Sequence, residues 1–102
     1  MSTMIQVIWE YKVKPDQTSK FERVYGRDGD WVKFFKKSKA YKKTELVVKD
    51  LENNIYLTID TWKSIEDYEN FFQKNKKEYQ RLNNIFKSLM LEENEIGIFS
   101  EE

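Results

Sequence analysis

The chain has 102 residues, with 18 basic and 18 acidic side chains and therefore no formal net charge. It contains no cysteine and no histidine, which excludes disulfides, thiol nucleophiles, Cys-based zinc or iron–sulfur sites, Ser–His–Asp triads and histidine-ligated haem. Aromatic residues make up 16% of the chain, and disordered chains are usually poor in them. We therefore expect a single folded domain spanning residues 1–102.

The first predicted element is a strand over Met4 to Val13. Apolar and polar residues alternate there, which gives one face the set Ile5, Val7, Trp9, Tyr11 and Val13. The segment lacks the basic start and long apolar run of a secretory signal, and no stretch approaches the roughly 20 apolar residues of a membrane span. We therefore expect a cytoplasmic protein that does not enter a membrane.

A helix interrupted in its middle is predicted next. Pro15 suits the first helical position, and a short apolar stripe ends at Gly26. The segment 26–30 has neither the Lys-Ser/Thr of a phosphate loop nor the further oxygen ligands of a calcium loop, so it predicts a turn. Asp30 is then expected to cap a second helical piece, whose apolar face carries Trp31, Phe34 and Phe35.

Two strands joined by a tight turn follow. The first covers Tyr41 to Lys49, and Asn53-Asn54 predicts the tip because asparagine tolerates positive φ. In the second, Ile55 to Trp62, we expect the aliphatic face of Ile55, Leu57 and Ile59 to be buried under helices. The opposite face would carry Tyr56, Thr58, Asp60 and Trp62. Since large aromatics are not readily left in water, that face would line a cavity or a subunit contact.

The remainder predicts helix and then strand. Ser64 and Asp67 resemble a capping box, and apolar residues recur at helical steps from Ile65 to Leu89, as one long helix or as two with a bend at 73–77. A short strand over Glu95 to Phe99 closes the chain. The order is the βαββαβ pattern of an α+β, ferredoxin-like sandwich, with helices on one face of an antiparallel sheet. We expect either a homodimer packed sheet against sheet or a ligand that covers the aromatic face.

The sequence resembles the antibiotic biosynthesis monooxygenase (ABM) domain family, small proteins of the dimeric α+β barrel superfamily. The stretch with the strongest likeness runs from Tyr56 to Ser64 and contains a Trp-x-Ser junction, followed by Tyr68 and Phe71. The other stretches are Val13-Lys14-Pro15 with the strand before it, Gly26 to Phe35, Tyr41 to Leu46, and Glu95-Ile96-Gly97.

The resemblance implies a homodimer and, for enzymatic members, oxidation of polycyclic aromatics to quinones by molecular oxygen without flavin, metal or other cofactor. The haem-degrading branch binds iron through a histidine, which this chain lacks. In the quinone-forming members, Asn, Trp and Tyr side chains are implicated in a pocket between sheet and helices. Trp62 matches the Trp and Tyr68 the Tyr, whereas Thr58 stands where the Asn is expected.

These considerations define a candidate site. Asp60 is a candidate general base, because a partly buried carboxylate tends to have a raised pKa. Tyr68 is the second catalytic candidate, as a phenol that hydrogen-bonds an oxyanion or relays a proton, or as an alternative to Asp60 in withdrawing a phenolic proton from the substrate. The alternative is that Asp60 caps a loop or pairs with a lysine across a dimer, and that the aromatics are structural. The substrate-binding candidates, which offer stacking surfaces or polar contacts to a small aromatic ligand, are Trp62, Thr58, Tyr56 and Trp9.

Three functions remain open at this point. The first is a cofactor-independent monooxygenase, and the second is a non-catalytic dimeric module of the same fold, which Thr58 favours. The third is nucleic-acid binding through the lysines between Lys33 and Lys43. That third function is disfavoured because the Gly-Phe core of RNA-recognition sheets is missing and glutamates near the C-terminus balance the lysines, so we expect a solvated helix face, no nucleic acid and no metal.

Overall fold

An antiparallel sheet organises the protein in the computed structural model, which describes residues 3–101. Within that range the sheet has four strands in the order β2-β3-β1-β4. Every neighbouring pair is antiparallel, which confirms the predicted ferredoxin-like topology. The strands are β1 (Ile5–Val13), β2 (Tyr41–Asp50), β3 (Ile55–Trp62) and β4 (Met90–Ser100).

Helices cover one face of this sheet. The first connection contains a 3₁₀ turn (Pro15–Gln17) and the helices α1 (Thr18–Tyr25) and α2 (Asp30–Phe35). The second contains α3 (Ile65–Lys74), α4 (Lys76–Phe86) and another 3₁₀ turn (Lys87–Leu89). Of the two alternatives for this connection, two helices with a bend is therefore the correct one. Asn75 stands at the break, where its side-chain amide donates to the Phe71 carbonyl at 2.9 Å.

Local sequence signals explain most element ends. The Ser64 hydroxyl accepts from the Asp67 N–H at 3.1 Å and donates to the Asp67 carboxylate at 2.8 Å, so the predicted cap is present. Asn54 takes positive φ (56°) in the hairpin loop. The prediction for Asp30 was wrong, because α2 begins at Asp30 itself and the preceding cap position is Gly29.

The last strand is much longer than the predicted segment Glu95 to Phe99. It begins at Met90, and its charged stretch pairs with β1, with Glu92 opposite Lys12 and Glu93 opposite Tyr11. The residues Leu91-Glu92-Glu93-Asn94 show no apolar alternation, so their strand conformation depends on hydrogen bonding to β1 rather than on a pattern of burial.

The faces of β3 are the reverse of the prediction. The side chains of Tyr56, Thr58, Asp60 and Trp62 point to the helices and are between 0 and 9% exposed. Ile55, Leu57 and Ile59 are half-buried on the other face. The reason lies in the core, which is built from rings: Phe21 and Trp62 are its most buried members at 0% exposure. The Trp62 ring packs on Phe71 (5.2 Å between centroids) and on Phe35 (5.6 Å). An aromatic strand face fits this interior, and the aliphatic face remains outside it.

The sheet face away from the helices therefore carries the aliphatic side chains of β3 together with charged neighbours such as Glu10 and Glu45, and we call it the outer sheet face. Register places Ile59 between Glu45 and Ile8, and Leu57 between Val47 and Glu10. The apolar residues that define the outer sheet face are Ile8, Val47, Leu57, Ile59 and Phe99. Among residues 3–101, no helix is long and apolar enough to cross a membrane.

Candidate functional site

A cavity of about 60 Å³ lies between the sheet and the helices. Both β1 and β3 contribute their helix-facing side chains, and all four helices add aromatic or polar groups. The lining residues are Val7, Trp9, Tyr11, Tyr25, Trp31, Phe35, Thr44, Thr58, Asp60, Tyr68, Phe72, Tyr79, Asn83 and Glu93.

Asp60 is the buried charge of this cavity. Its side chain is 9% exposed, and the Thr44 hydroxyl donates to its Oδ1 at 2.5 Å. Burial raises the pKa of Asp60 to about 7, and the hydrogen bond from Thr44 opposes that rise in part. A carboxyl with this pKa exchanges a proton near neutral pH, which is the property that a general base needs.

Thr44 is itself hydrogen-bonded to a tyrosine. The Tyr41 hydroxyl and Thr44 Oγ1 are 2.7 Å apart. Because the one Thr44 proton is donated to Asp60, Tyr41 must be the donor in this second bond. The result is a buried chain of three groups that runs from Tyr41 through Thr44 to the carboxylate.

The tyrosines of the cavity are held in their protonated form. Burial is the main cause that raises the pKa of Tyr68 far above 10, with Glu95, Tyr79 and Asp60 adding to it. Burial likewise raises the pKa values of Tyr11 and Tyr25. At neutral pH these hydroxyls can donate hydrogen bonds to an oxyanion, but they cannot serve as bases.

Four of the six predicted site residues line the cavity: Asp60, Tyr68, Thr58 and Trp9. The other two do not. Trp62 is completely buried behind the cavity, and its ring packs against Tyr68 with 5.5 Å between centroids. The Tyr56 hydroxyl donates to Glu22 Oε2 at 2.6 Å, so that side chain is bound to α1. Both were predicted to bind substrate. The contacts of Trp62 with Tyr68 and of Tyr56 with Glu22 leave neither side chain facing the cavity.

Sequence reasoning missed several residues of the site. The place of Thr44 in the site is set by strand register. The places of Trp31, Phe35 and Tyr79 are set by the packing of the helices on the sheet, and hydrophobic periodicity predicts neither. Trp31 has one signal of interest, because its Nε1–H is buried without a well-formed hydrogen bond among the described residues. Its interaction with the Tyr25 side chain offsets in part the rise in the pKa of Tyr25.

We define the rim of the cavity by two polar lining residues, Asn83 and Glu93. Asn83 on α4 is half-buried and Glu93 on β4 is exposed, and burial of part of its carboxyl raises the pKa of Glu93. No lysine or arginine belongs to the lining within residues 3–101. The same part of the chain contains no group of three acidic side chains able to hold a metal ion. The cavity is thus aromatic, carries protonatable oxygens and suits a neutral ligand better than an anion.

Comparison with known structures identifies the fold. A variant of SnoaB, a cofactor-independent oxygenase from Streptomyces nogalater, aligns with a TM-score of 0.79 at 14% identity over 99% of this chain and 95% of that one. A conserved protein from Methanosarcina mazei gives 0.74 at 14% identity, over 98% and 94%.

A protein from Bordetella bronchiseptica named for the antibiotic biosynthesis monooxygenases gives a TM-score of 0.70 at 16% identity, over 99% and 97% of the two chains. No family model matches the sequence, and no curated protein is significantly similar to it. The chain has the ferredoxin-like α+β fold seen in ABM-type proteins, and at these identities the likeness concerns fold alone.

Proposed function

We propose that the protein binds a small phenolic ligand in this cavity and oxidises it with molecular oxygen, without a cofactor. The observation that carries the proposal is Asp60, a buried carboxyl with a pKa of about 7 at an aromatic cavity. The similarity in fold to a cofactor-independent oxygenase supports the same reading.

Asp60 acts as the general base in this proposal. It takes the phenolic proton and becomes neutral, so the phenolate forms beside an uncharged acid and the cavity keeps a single negative charge throughout. Tyr68 and the other protonated tyrosines supply hydrogen-bond donors to the developing oxyanion. Trp9 offers a flat face for the ring, where the predicted Trp62 is too deeply buried to do so.

The electron-rich phenolate then reduces oxygen directly. One oxygen atom enters the ring as the second quinone carbonyl. The other leaves as water together with the phenolic proton and the displaced ring proton. No external reductant is required, because the phenol supplies all four electrons that the two oxygen atoms accept.

Cavity size limits the ligand. A volume of about 60 Å³ is below the ~150 Å³ of a protein cavity known to accept benzene. A ligand must therefore widen the space, and the rim at Asn83 and Glu93 is where the lining meets solvent. We infer a ligand of one or two rings, which is smaller than the polycyclic substrates that the family resemblance implies.

Oxygen consumption with a panel of phenols of one to three rings tests the proposal. We expect uptake with at least one of them, quinone formation in equal amount, and loss of at least about 100-fold in rate for Asp60→Asn. Tyr68→Phe should bind the phenol but turn it over more slowly. Glu66→Gln, an exposed acid on α3, is the matched control and should behave as wild type.

A second candidate is a non-catalytic module of the same fold. The small cavity favours it, as does Thr58 in the place of an amide. Its signature is the absence of oxygen uptake with every phenol, whether or not any of them binds. That outcome would overturn the oxygenase proposal.

We further propose that the protein is a homodimer formed through the outer sheet face. The sequence predicted a dimer from the aromatic face of β3, but that face packs under the helices. The support now comes from the outer sheet face itself, where Phe99 on β4 is 47% exposed. A second copy of this chain packed on that face would cover Phe99, because exposed apolar patches of this kind mark contact surfaces.

A further inference from the structure

We propose that Tyr41 and Thr44 form a hydrogen-bonded route through which Asp60 exchanges its proton with solvent at the β2 edge of the sheet, away from the rim through which a ligand enters. The inference rests on the proposed role of Asp60 as a base, and it adds how Asp60 returns to its ionised form after it has taken a proton. Tyr41 and Thr44 are positioning residues in this scheme, since they act through Asp60.

The first support is the geometry of the chain. The donor–acceptor distances are 2.7 Å between Tyr41 and Thr44 and 2.5 Å between Thr44 and Asp60. Both are at or below the usual O–H···O separation. Only Thr44 donates to the Asp60 carboxyl among the described residues, so this chain is its one protein connection.

The second support is a β-bulge that aims Tyr41 at Thr44. The β2–β3 register shifts between Tyr41 and Lys43, which leaves Lys42 as an extra residue. Without the shift, residues three apart on a strand would point to opposite faces. Because of it, Tyr41 lies opposite Trp62 and Thr44 opposite Asp60, and both point to the helix side. Bulges of this kind commonly redirect a side chain.

The third support is a cleft on the surface that meets the other end of the chain. It has a volume of about 440 Å³ and is lined by Tyr41 and Thr44 together with Arg27, Lys36, Lys42 and Lys43. Within residues 3–101, Thr44 is the one side chain that lines both this cleft and the interior cavity. Its hydroxyl is bonded on one side to Tyr41, which lines the cleft, and on the other to Asp60, which lines the cavity.

The two openings lie at opposite edges of the sheet. The cleft is formed at β2, whereas Glu93 at the cavity rim belongs to β4, and the strand order is β2-β3-β1-β4. A ligand that fills the rim would therefore leave the cleft open to water. Asp60 could lose the proton it has taken while the ligand or its product is still bound.

Proton transfer along the chain conserves every atom. When Asp60 is ionised, Tyr41 donates to Thr44 and Thr44 to the carboxylate. Uptake of a proton moves one hydrogen across each bond, so that Tyr41 gains a proton from water as it passes its own to Thr44 and Thr44 passes its proton to Oδ1. A proton that Asp60 has taken from a ligand leaves in the opposite direction, from the carboxyl to Thr44, from Thr44 to Tyr41 and from Tyr41 to water, and both hydroxyls must first turn round to donate towards the cleft.

None of the other titratable groups near Asp60 makes a hydrogen bond to it among the described residues, so none of them completes a competing route. Tyr11 on β1, Tyr25 on α1, Tyr68 on α3 and Tyr79 on α4 line the cavity as protonated phenols. Glu93 on β4 is the other carboxyl in the lining, and it lies at the rim. The cleft differs in its lining, which contains the carboxylate of Glu45 beside its four cations.

Infrared spectroscopy after a rapid pH jump measures the exchange on the unliganded protein. The carboxyl band of Asp60 is identified as the one absent from Asp60→Asn. Thr44→Val should slow its appearance by about tenfold or more, the effect of losing roughly 1.4 kcal/mol at one link. It should also raise the pKa of Asp60, because a donor to the carboxylate is lost. Thr44→Ser keeps the hydroxyl and should restore both values.

Tyr41→Phe separates exchange from simple positioning. It leaves Thr44 bonded to Asp60, so the rate of exchange should fall as in Thr44→Val while the pKa moves much less. Unchanged exchange rates in Thr44→Val and Tyr41→Phe would overturn the proposal. They would show that Asp60 exchanges its proton with water that enters through the rim. Since neither ligand nor oxygen is used, failure of the oxygenase proposal leaves this result intact.

Discussion

Thr44 and Asp60 face each other across the β2–β3 ladder, and the Thr44 hydroxyl donates to Asp60 Oδ1 at 2.5 Å. This bond holds one carboxyl oxygen of a buried acid, and the described residues donate no hydrogen bond to the other. A carboxyl with a single neutral donor in an aromatic interior is poorly compensated as an anion. Its cost should therefore appear in the stability of the protein.

We predict that Asp60 makes the protein less stable as the pH rises from about 4 to about 7. Its pKa is about 7 in the folded protein against 3.8 ordinarily, so the folded state holds the proton more tightly than the unfolded state. The protonated carboxyl therefore stabilises the folded state in full below the pKa of the unfolded state. This contribution is lost as the pH rises through the pKa of the folded state. The difference corresponds to on the order of 4 kcal/mol.

Urea denaturation of wild type and Asp60→Asn over this pH range measures the effect. The variant cannot ionise, so it should gain stability relative to wild type as the pH rises and level off above about pH 8. Asp28→Asn, in the exposed turn before α2, is the control and should show no such divergence. Parallel curves for wild type and Asp60→Asn would mean that Asp60 titrates normally.

The pairing of Thr44 with Asp60 shows where sequence reasoning stopped. The Asn53-Asn54 tip was predicted correctly, but a two-residue turn there would place Glu52 opposite Ile55. The structure instead pairs Asp50 with Ile55 and shifts register between Val48 and Asp50. This shift adjoins a loop where the Asp50 carboxylate accepts from the Asn53 N–H and side-chain amide, and no hydrophobic pattern records it.

Helix α3 should depend on its N-cap. Ser64→Ala removes the oxygen that accepts from the Asp67 N–H and leaves that group unpaired at a buried helix start. We expect a loss of about 1 kcal/mol in the free energy of unfolding. Chemical denaturation measures it, with the exposed Ser19→Ala on α1 as control. Equal midpoints for the two variants would show that the cap contributes nothing.

Two features restrict Gly97, its positive φ of 158° and the nearby ring of Phe99. A Cβ at Gly97 would lie 3.2 Å from Phe99 Cζ, a distance at which the ring must move. We predict that Gly97→Ala costs roughly 1 kcal/mol, and that the cost falls in a Phe99→Ala background. A double-mutant cycle measured by denaturation gives the coupling energy. Additive effects would indicate that the ring is not responsible for the requirement.

The reversed faces of β3 carry a second lesson about prediction. Alternation identified the strand and its bounds, and the four helix-facing residues were grouped correctly. Alternation alone does not say which face is covered, and the choice of the aliphatic one assumed an aliphatic core. Tyr11, Phe21 and Tyr25 pack as one cluster at 4.5–5.4 Å between centroids. In that setting the aromatic face is the one that fits.

The last prediction concerns the outer sheet face. Ile59 lies in its middle row between Glu45 and Ile8, so Ile59→Lys would place an ammonium group at the centre of the proposed dimer contact. We expect wild type to sediment as a dimer at micromolar concentration and Ile59→Lys as a monomer, since taking an added charge out of water costs several kcal/mol even beside a carboxylate such as Glu45. Ile85→Lys on α4, at a site 50% exposed, adds the same charge away from the sheet and should leave the dimer intact. A monomeric wild type would refute the interface. A dimer that survives Ile59→Lys but not Ile85→Lys would move it to the helices.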